Sequence, residues 1–292
     1  MEKDKKLLTI FTPAYNRGDM LTTLYESLLR QNDFDFKWLI IDDGSTDDTK
    51  QVVEGFKTDR FEIEYRLKEN GGKHTAINMA LEIIDTELTF IVDSDDYLTD
   101  DAIEVVKEYY NKWKNEDIAS IVFLKGYPSG KHNGKQFLGN DEIQWYIKDV
   151  INKRLLGDRA EIFFTDKLKE FPFPVYEGER FMSEAVQWMP LYRKYPFVPV
   201  NRIIYIAEYL QGGLTRSGKR LRLRNPLGGI LNNEMFIKND VEFMHRLKSA
   251  ILIVVFSKAA GIKIPEHIMK EHRLLMTVAY IPGQFFYKKW NR

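Results

Sequence analysis

Four short strand-like runs organise the first 92 residues, and each is followed closely by polar residues. Residues 7–11 run into Thr12-Pro13-Ala14-Tyr15-Asn16, and residues 38–41 into Asp42-Asp43. The alternating run 61–66 precedes Asn70–His74, and 88–92 stops at Asp93, Asp95 and Asp96. Between them lie segments with apolar residues at helical spacing, such as Met20, Leu21, Leu24 and Leu28. The pattern predicts helices over 20–31, 46–56, 73–84 and 100–113, and a further strand over 118–124. Strands separated by helices of this length fold as parallel βαβ units with right-handed crossovers. Ligands bind such sheets beyond the carboxyl ends of the strands. The connectivity therefore delivers four sequence-distant polar clusters to one sheet edge.

The fourth cluster is the least expected. At about 4 Å and an effective dielectric near 20, each pair of like charges costs roughly 4 kcal/mol. Thr99 or Asp100 is placed to cap the following helix, so capping does not account for Asp93, Asp95 and Asp96. A hard divalent cation, Mg²⁺ or Mn²⁺, turns that repulsion into attraction. Mg²⁺ is normally held by one or two carboxylates together with substrate phosphates, which points to a diphosphate ligand. In the second cluster, Ser45 and Asp48 have capping-box spacing and Asp47 suits a helix N-terminus. Asp42 and Asp43 precede that cap and gain nothing from it. Such carboxylates accept hydrogen bonds from a nucleobase imide or from ribose hydroxyls. Gly71-Gly72 precedes a helix that carries Lys73, Thr75, Ala76 and Asn78, a pattern that lets backbone and cation approach a phosphate.

The stretches TIFTPAYNR, WLIIDDGSTDDT, ENGGKHTAIN and FIVDSDDYLTDDAI, in this order and spacing, resemble the family 2 glycosyltransferases of GT-A fold. The resemblance implies an α/β fold, Rossmann-like, with a mostly parallel sheet and flanking helices. It implies that Asp93-Ser94-Asp95, with Asp96 adjoining, holds Mn²⁺ or Mg²⁺ against a nucleotide-sugar diphosphate, and that Asp95 is central to catalysis. Asp43 then contacts the base with Asp42 beside it, and Thr12-Pro13-Ala14-Tyr15-Asn16 packs against the base, with Tyr15 stacking on it. Gly72, Lys73 and Asn78 complete the nucleotide site. UDP is the nucleotide the family favours, although an imide contact serves thymine as well as uracil.

A second stretch, GERFMSEAVQWMPLYRKYPF, resembles the acceptor side of the same family. Glu184, four residues before Trp188, takes the position of the catalytic base, although Ala185 departs from the family's acidic pair. Glu177 and Glu179 are the fallback candidates. The implied mechanism is a single inverting displacement by an acceptor hydroxyl of a glycan or lipid-linked sugar, as in capsule or cell-surface polysaccharide synthesis.

The chain has 292 residues and no cysteine, which excludes disulfides and thiolate metal sites and fits a reducing, cytoplasmic setting. Its start has too short an apolar stretch for a secretory signal. Formal net charge is zero, yet residues 215–292 hold 15 Lys or Arg against 5 Asp or Glu. The expected division is a GT-A domain over 1–215 and a basic, mainly helical region over 216–292. Within the first, 1–125 forms the nucleotide-sugar half and 126–215 the acceptor half. The apolar stretches 249–256 and 274–290 are too short to cross a bilayer, and Pro282-Gly283 interrupts the second. Aromatics followed by Lys288 and Lys289 suit peripheral attachment to an anionic inner membrane face. The basic run 216–224 lacks interleaved aromatics, so no nucleic-acid partner is expected. The five histidines show no metal-ligand spacing, and Walker A, G-x-S-x-G and G-x-G-x-x-G patterns are absent. Two other readings stay in view: a catalytically inactive nucleotide- or glycan-binding subunit, and a sugar-phosphate nucleotidyltransferase. The latter needs a glycine-rich basic loop where Thr12–Asn16 stands.

Overall fold

The computed structural model describes residues 5–155, 157–207 and 218–290. The predicted alternation is present as β1 (Leu8–Ala14), α1 (Gly18–Leu29), β2 (Phe36–Asp42), α2 (Thr49–Gly55), β3 (Glu62–Leu67), α3 (Lys73–Ile83), β4 (Leu88–Ile91), β5 (Tyr97–Leu98) and α4 (Ala102–Trp113). Then follow β6 (Ser120–Gly126), β7 (Arg159–Phe164), α5 (Thr165–Lys169), α6 (Ala185–Lys194) and β8 (Phe197–Ile206). Among the described residues, eight strands form one sheet in the order β3-β2-β1-β4-β7-β6-β8-β5. The pairs among β1 to β4 are parallel, as is β6 with β8, whereas β7 runs antiparallel to both its neighbours. Parallel central strands are buried on both faces and read as unbroken apolar runs. Leu8, Ile10, Trp38, Ile40, Leu88 and Phe90 are accordingly fully buried.

Two groups of residues are compact. One gathers the described residues of Met1–Pro172 and Leu191–Tyr209, the other those of Phe173–Pro190 and Leu210–Arg292. This departs from the expected boundary, because 173–190 sides with the C-terminal region. The reason lies in hydrogen bonds within the second unit. The Glu179 carboxylate accepts the amides of Leu227 and Gly228 at 2.6 and 2.8 Å, at the start of α8 (Pro226–Ile237). The Asn225 side-chain oxygen accepts the amides of Arg180 and Phe181. A negative group on exposed helix N–H groups is favourable, so 179–181 is fastened to α8.

The rest of that unit is helical: α7 (Gly218–Arg224), α9 (Phe243–Ala259), α10 (Glu266–Glu271) and α11 (Arg273–Trp290). Ile230, Ile253, Val254, Phe256, Met276 and Ala279 share its core. Helix α11 runs unbroken through Pro282-Gly283, where an interruption was expected. Gly283 is buried, and a Cβ there would stand 2.5 Å from Val254 Cβ, so the glycine permits α9 and α11 to approach.

Two capping expectations are also corrected. Helix α2 begins at Thr49, and it is Asp47, not Ser45 or Asp48, that accepts the Thr49 amide. Ser45 is drawn away because its hydroxyl accepts the Asn16 amide at 2.8 Å. Before α4 the cap position falls on Asp101 and no side chain caps the helix, because the Thr99 hydroxyl donates to Asp101 and Asp100 pairs with Arg30.

Candidate active site

The polar clusters meet at one edge of the first unit, stitched together by hydrogen bonds that follow the strand order. The loop after β1 is tied to the loop after β2. Asn16, at φ +53°, a conformation asparagine tolerates, donates its amide to Ser45 and accepts the Thr46 amide on its side-chain oxygen. Tyr15 beside it is 47% exposed, an aromatic face left open to a ligand. Thr12, by contrast, is fully buried and accepts the Trp38 indole N–H, so its hydroxyl supports the sheet.

Asp42 and Asp43 end β2 and are both buried. Asp42 accepts the Ser45 amide and the Tyr65 hydroxyl at 2.7 and 2.6 Å. Burial, followed by Asp42 itself, raises the Tyr65 phenol's pKa, so it stays a donor. Asp43 accepts Lys68 Nζ at 2.6 Å and the amides of Gly71 and Gly72 at 2.9 and 2.7 Å. Its backbone oxygen accepts the Asn70 side chain. Gly72 sits at φ +95°, ψ 160°, a conformation open to glycine almost alone. The glycine pair thus serves first to close this loop over Asp43. A carboxylate offers about four acceptor positions, and three donors are present here.

Lys73, the first residue of α3, reaches across to Asp93 at 2.6 Å. From β8, the Tyr205 hydroxyl accepts the Asp93 amide at 3.0 Å and donates to Asp96 Oδ2 at 2.6 Å. Lys125 Nζ lies 3.9 Å above the Tyr205 ring. These groups separate the three aspartates by environment. Burial raises the Asp93 pKa, but Lys73 and Lys125 outweigh it and hold the group below the usual carboxylate range. Burial dominates at Asp96 and pushes its pKa up to about 6, against the lowering by Tyr205. Ser94 between them is buried. Asp95 is half-buried, and its carboxylate makes no hydrogen bond or ion pair with the described residues.

The sequence leaves open which of the three aspartates touches an ion. Among the described residues no group of three His, Asp or Glu side chains is placed as a metal cage. Protein cations and a phenol relieve the repulsion that seemed to require a metal. The oxygen-only donors still fit a hard divalent cation held by Asp95 and Asp93 and completed by phosphate oxygens. Asp96, buried and bonded to Tyr205, is spoken for.

Glu184 belongs to the second unit, where its backbone oxygen accepts the amides of Gln187 and Trp188 and opens α6. Glu179, a fallback candidate for the base, is consumed at the start of α8. Glu177 is exposed. Asn78 lies half-buried on α3. Sequence reasoning did not single out Tyr205, Lys125, Tyr65 or Lys68. Lys68 alone carried a signal, as a cation directly before the glycine loop.

Residues 9–165 match the profile of Glycosyl transferase family 2. The chain is 25% identical over 244 residues to the GalNAc(5)-diNAcBac-PP-undecaprenol beta-1,3-glucosyltransferase of Campylobacter jejuni, covering 81% of this chain and 77% of that protein. The fold is similar to S. aureus TarS 1-349 in complex with UDP-GlcNAc, with a TM-score of 0.58 at 19% identity. The likeness spans 97% of this chain and 90% of that fragment, and 54% of a longer TarS structure. It is also similar to the mannosyltransferase PcManGT of Pyrobaculum calidifontis in complex with GDP-Man and Mn²⁺, with a TM-score of 0.56 at 13% identity over 96% of this chain and 86% of that one. The chain belongs to glycosyl transferase family 2, and it is a glycosyltransferase of GT-A fold.

Proposed function

We propose that the chain moves a sugar from a UDP-sugar donor to a hydroxyl of a glycan or lipid-linked acceptor, with inversion, in capsule or cell-surface polysaccharide synthesis. The observation that carries this reading is the stitched edge at the ends of β1, β2 and β4, where an open aromatic, acceptor carboxylates and a cation lie in series. Tyr15 stacks on the base, and the acceptor position left on Asp43 takes the uracil imide N–H. Lys73 exchanges its Asp93 partner for a diphosphate oxygen. Asp95 and Asp93 would hold Mn²⁺ or Mg²⁺, which would supply charge neutralisation for the departing diphosphate.

Glu184 accepts the proton of the acceptor hydroxyl. That oxygen bonds to the anomeric carbon as the bond to the diphosphate breaks, and the nucleoside diphosphate leaves. The relatives support the chemistry: one is named for a lipid-linked acceptor, one holds UDP-GlcNAc and one holds Mn²⁺. No described helix is long and apolar enough to cross a membrane. We place the reaction on the cytoplasmic side, peripheral to the inner face of the cell membrane.

The test is calorimetry of the full chain against a panel of UDP-, GDP- and dTDP-sugars, with Mn²⁺ and with chelator. Binding of a UDP-sugar that needs Mn²⁺ supports the reading. Binding confined to another nucleotide, or equal with chelator, overturns the donor or the metal respectively.

A further inference from the structure

Helix α11 is apolar on two opposite sides. Met276, Ala279 and Gly283 recur at helical spacing and are buried in the second unit. On the other side Leu274, Val278, Ile281 and Phe285 recur at i, i+4, i+7 and i+11, and they are 81, 56, 78 and 64% exposed. Single apolar side chains in water are ordinary, whereas a continuous stripe along one helix marks an interaction surface. The stripe ends in cations, because Lys288 and Lys289 follow Phe285 and Phe286.

A second basic element adjoins that end. Lys219 Nζ lies 5.5 Å over the ring of Trp290, which brings α7 beside the end of α11. Helix α7 has no buried residue and carries Lys219, Arg220, Arg222 and Arg224. Among the described residues, none of these four cations, nor Lys288 or Lys289, is paired with a carboxylate. Trp290 packs against the core, on the side of α11 opposite the stripe, so the α7 cations stand near the helix end, and the stripe itself is flanked by Lys288 and Lys289, two cations without a carboxylate partner among the described residues.

We propose that this side of α11, with Lys288 and Lys289 at its end, docks on an anionic lipid surface. The stripe enters the headgroup–acyl boundary and the cations meet lipid phosphates. Charge decides the occupant. A second copy packed in parallel would set Lys288 and Lys289 against their own kind, and an antiparallel copy or a neutral apolar partner would leave them without counter-charge. The docking rests on the peripheral placement proposed above and gives it residues, and its test uses neither donor nor acceptor, so that its failure leaves sugar transfer standing.

The experiment is co-sedimentation of the full chain with vesicles of phosphatidylcholine, with and without phosphatidylglycerol. Binding is expected only with phosphatidylglycerol and is expected to fall as salt rises. Both Ile281→Ser with Phe285→Ser and Lys288→Glu with Lys289→Glu are expected to weaken it about tenfold or more, with unchanged thermal melts by circular dichroism. Equal binding to neutral vesicles, no binding at all, or variants that bind like the parent overturn the proposal. So does a dimer in solution, sized by light scattering, that the apolar variant dissociates.

Discussion

The Tyr205 hydroxyl and the Asp96 carboxylate, 109 positions apart in sequence, lie 2.6 Å from each other, and both are buried. The same hydroxyl accepts the Asp93 amide, so one phenol on β8 fixes both ends of the Asp93–Asp96 turn. Tyr205→Phe leaves the Asp96 acceptor and the Asp93 amide without that partner. The expected cost is about 1–3 kcal/mol in urea unfolding, since a buried polar group loses its bond while the ring still packs. An unchanged unfolding midpoint would remove Tyr205 from this role.

Asp96 also makes stability depend on pH, with a definite sign. Its pKa rises from the usual 3.8 to about 6 in the folded chain, with burial as the main cause. Between about pH 4 and 6 the folded state then binds more proton than the unfolded one, so this contribution falls as pH rises, by at most about 3 kcal/mol. Asp96→Asn cannot titrate. Urea midpoints in metal-free buffer should show the parent losing ground to the variant from about pH 4 to about pH 6.5. A difference that is flat, or that grows in the parent's favour, contradicts the raised value.

Asp95 is the aspartate of the three whose carboxylate is bonded to no described residue, so its removal disturbs the fold least. Asp95→Asn is expected to abolish sugar transfer while circular dichroism and the unfolding midpoint stay those of the parent. Transfer at the parental rate would show that the cation is held elsewhere.

Glu184 and Glu179 should separate cleanly. Glu184→Gln is expected to lower kcat by about 10²-fold or more, the usual scale for a general base. Glu179→Ala removes the acceptor for the Leu227 and Gly228 amides and is expected to cost about 1–2 kcal/mol, as caps do. Steady-state kinetics beside urea curves for both variants decide the assignment. An exchange of the two phenotypes would make Glu179 the base.

The part of the fold that could be read from sequence is the part built from local pattern. Strands β1, β2 and β4 announce themselves because parallel strands buried on both faces need unbroken apolar runs, and their polar ends point to the site edge. Strand β5, two residues long, is too short to show a period. Tyr205 sits in an apolar run where a tyrosine looks like any core aromatic, and its partners are remote in sequence. Ser45 misled for a related reason: its local cap lost to a tertiary bond with Asn16. The aspartates at 93–96 were legible as a cluster, but the cations and phenol that divide their roles come from α3, β6 and β8.

The place of Tyr205 on β8 bears on how the molecule is made. During synthesis the Asp93–Asp96 turn emerges long before residue 205, so for that interval its buried acceptor lacks the phenol that completes it. A contact of such sequence separation adds a slow, late step to folding. A nascent chain ending near residue 165, although it contains the whole family match, would therefore hold the pieces of the site without the clasp that sets their geometry.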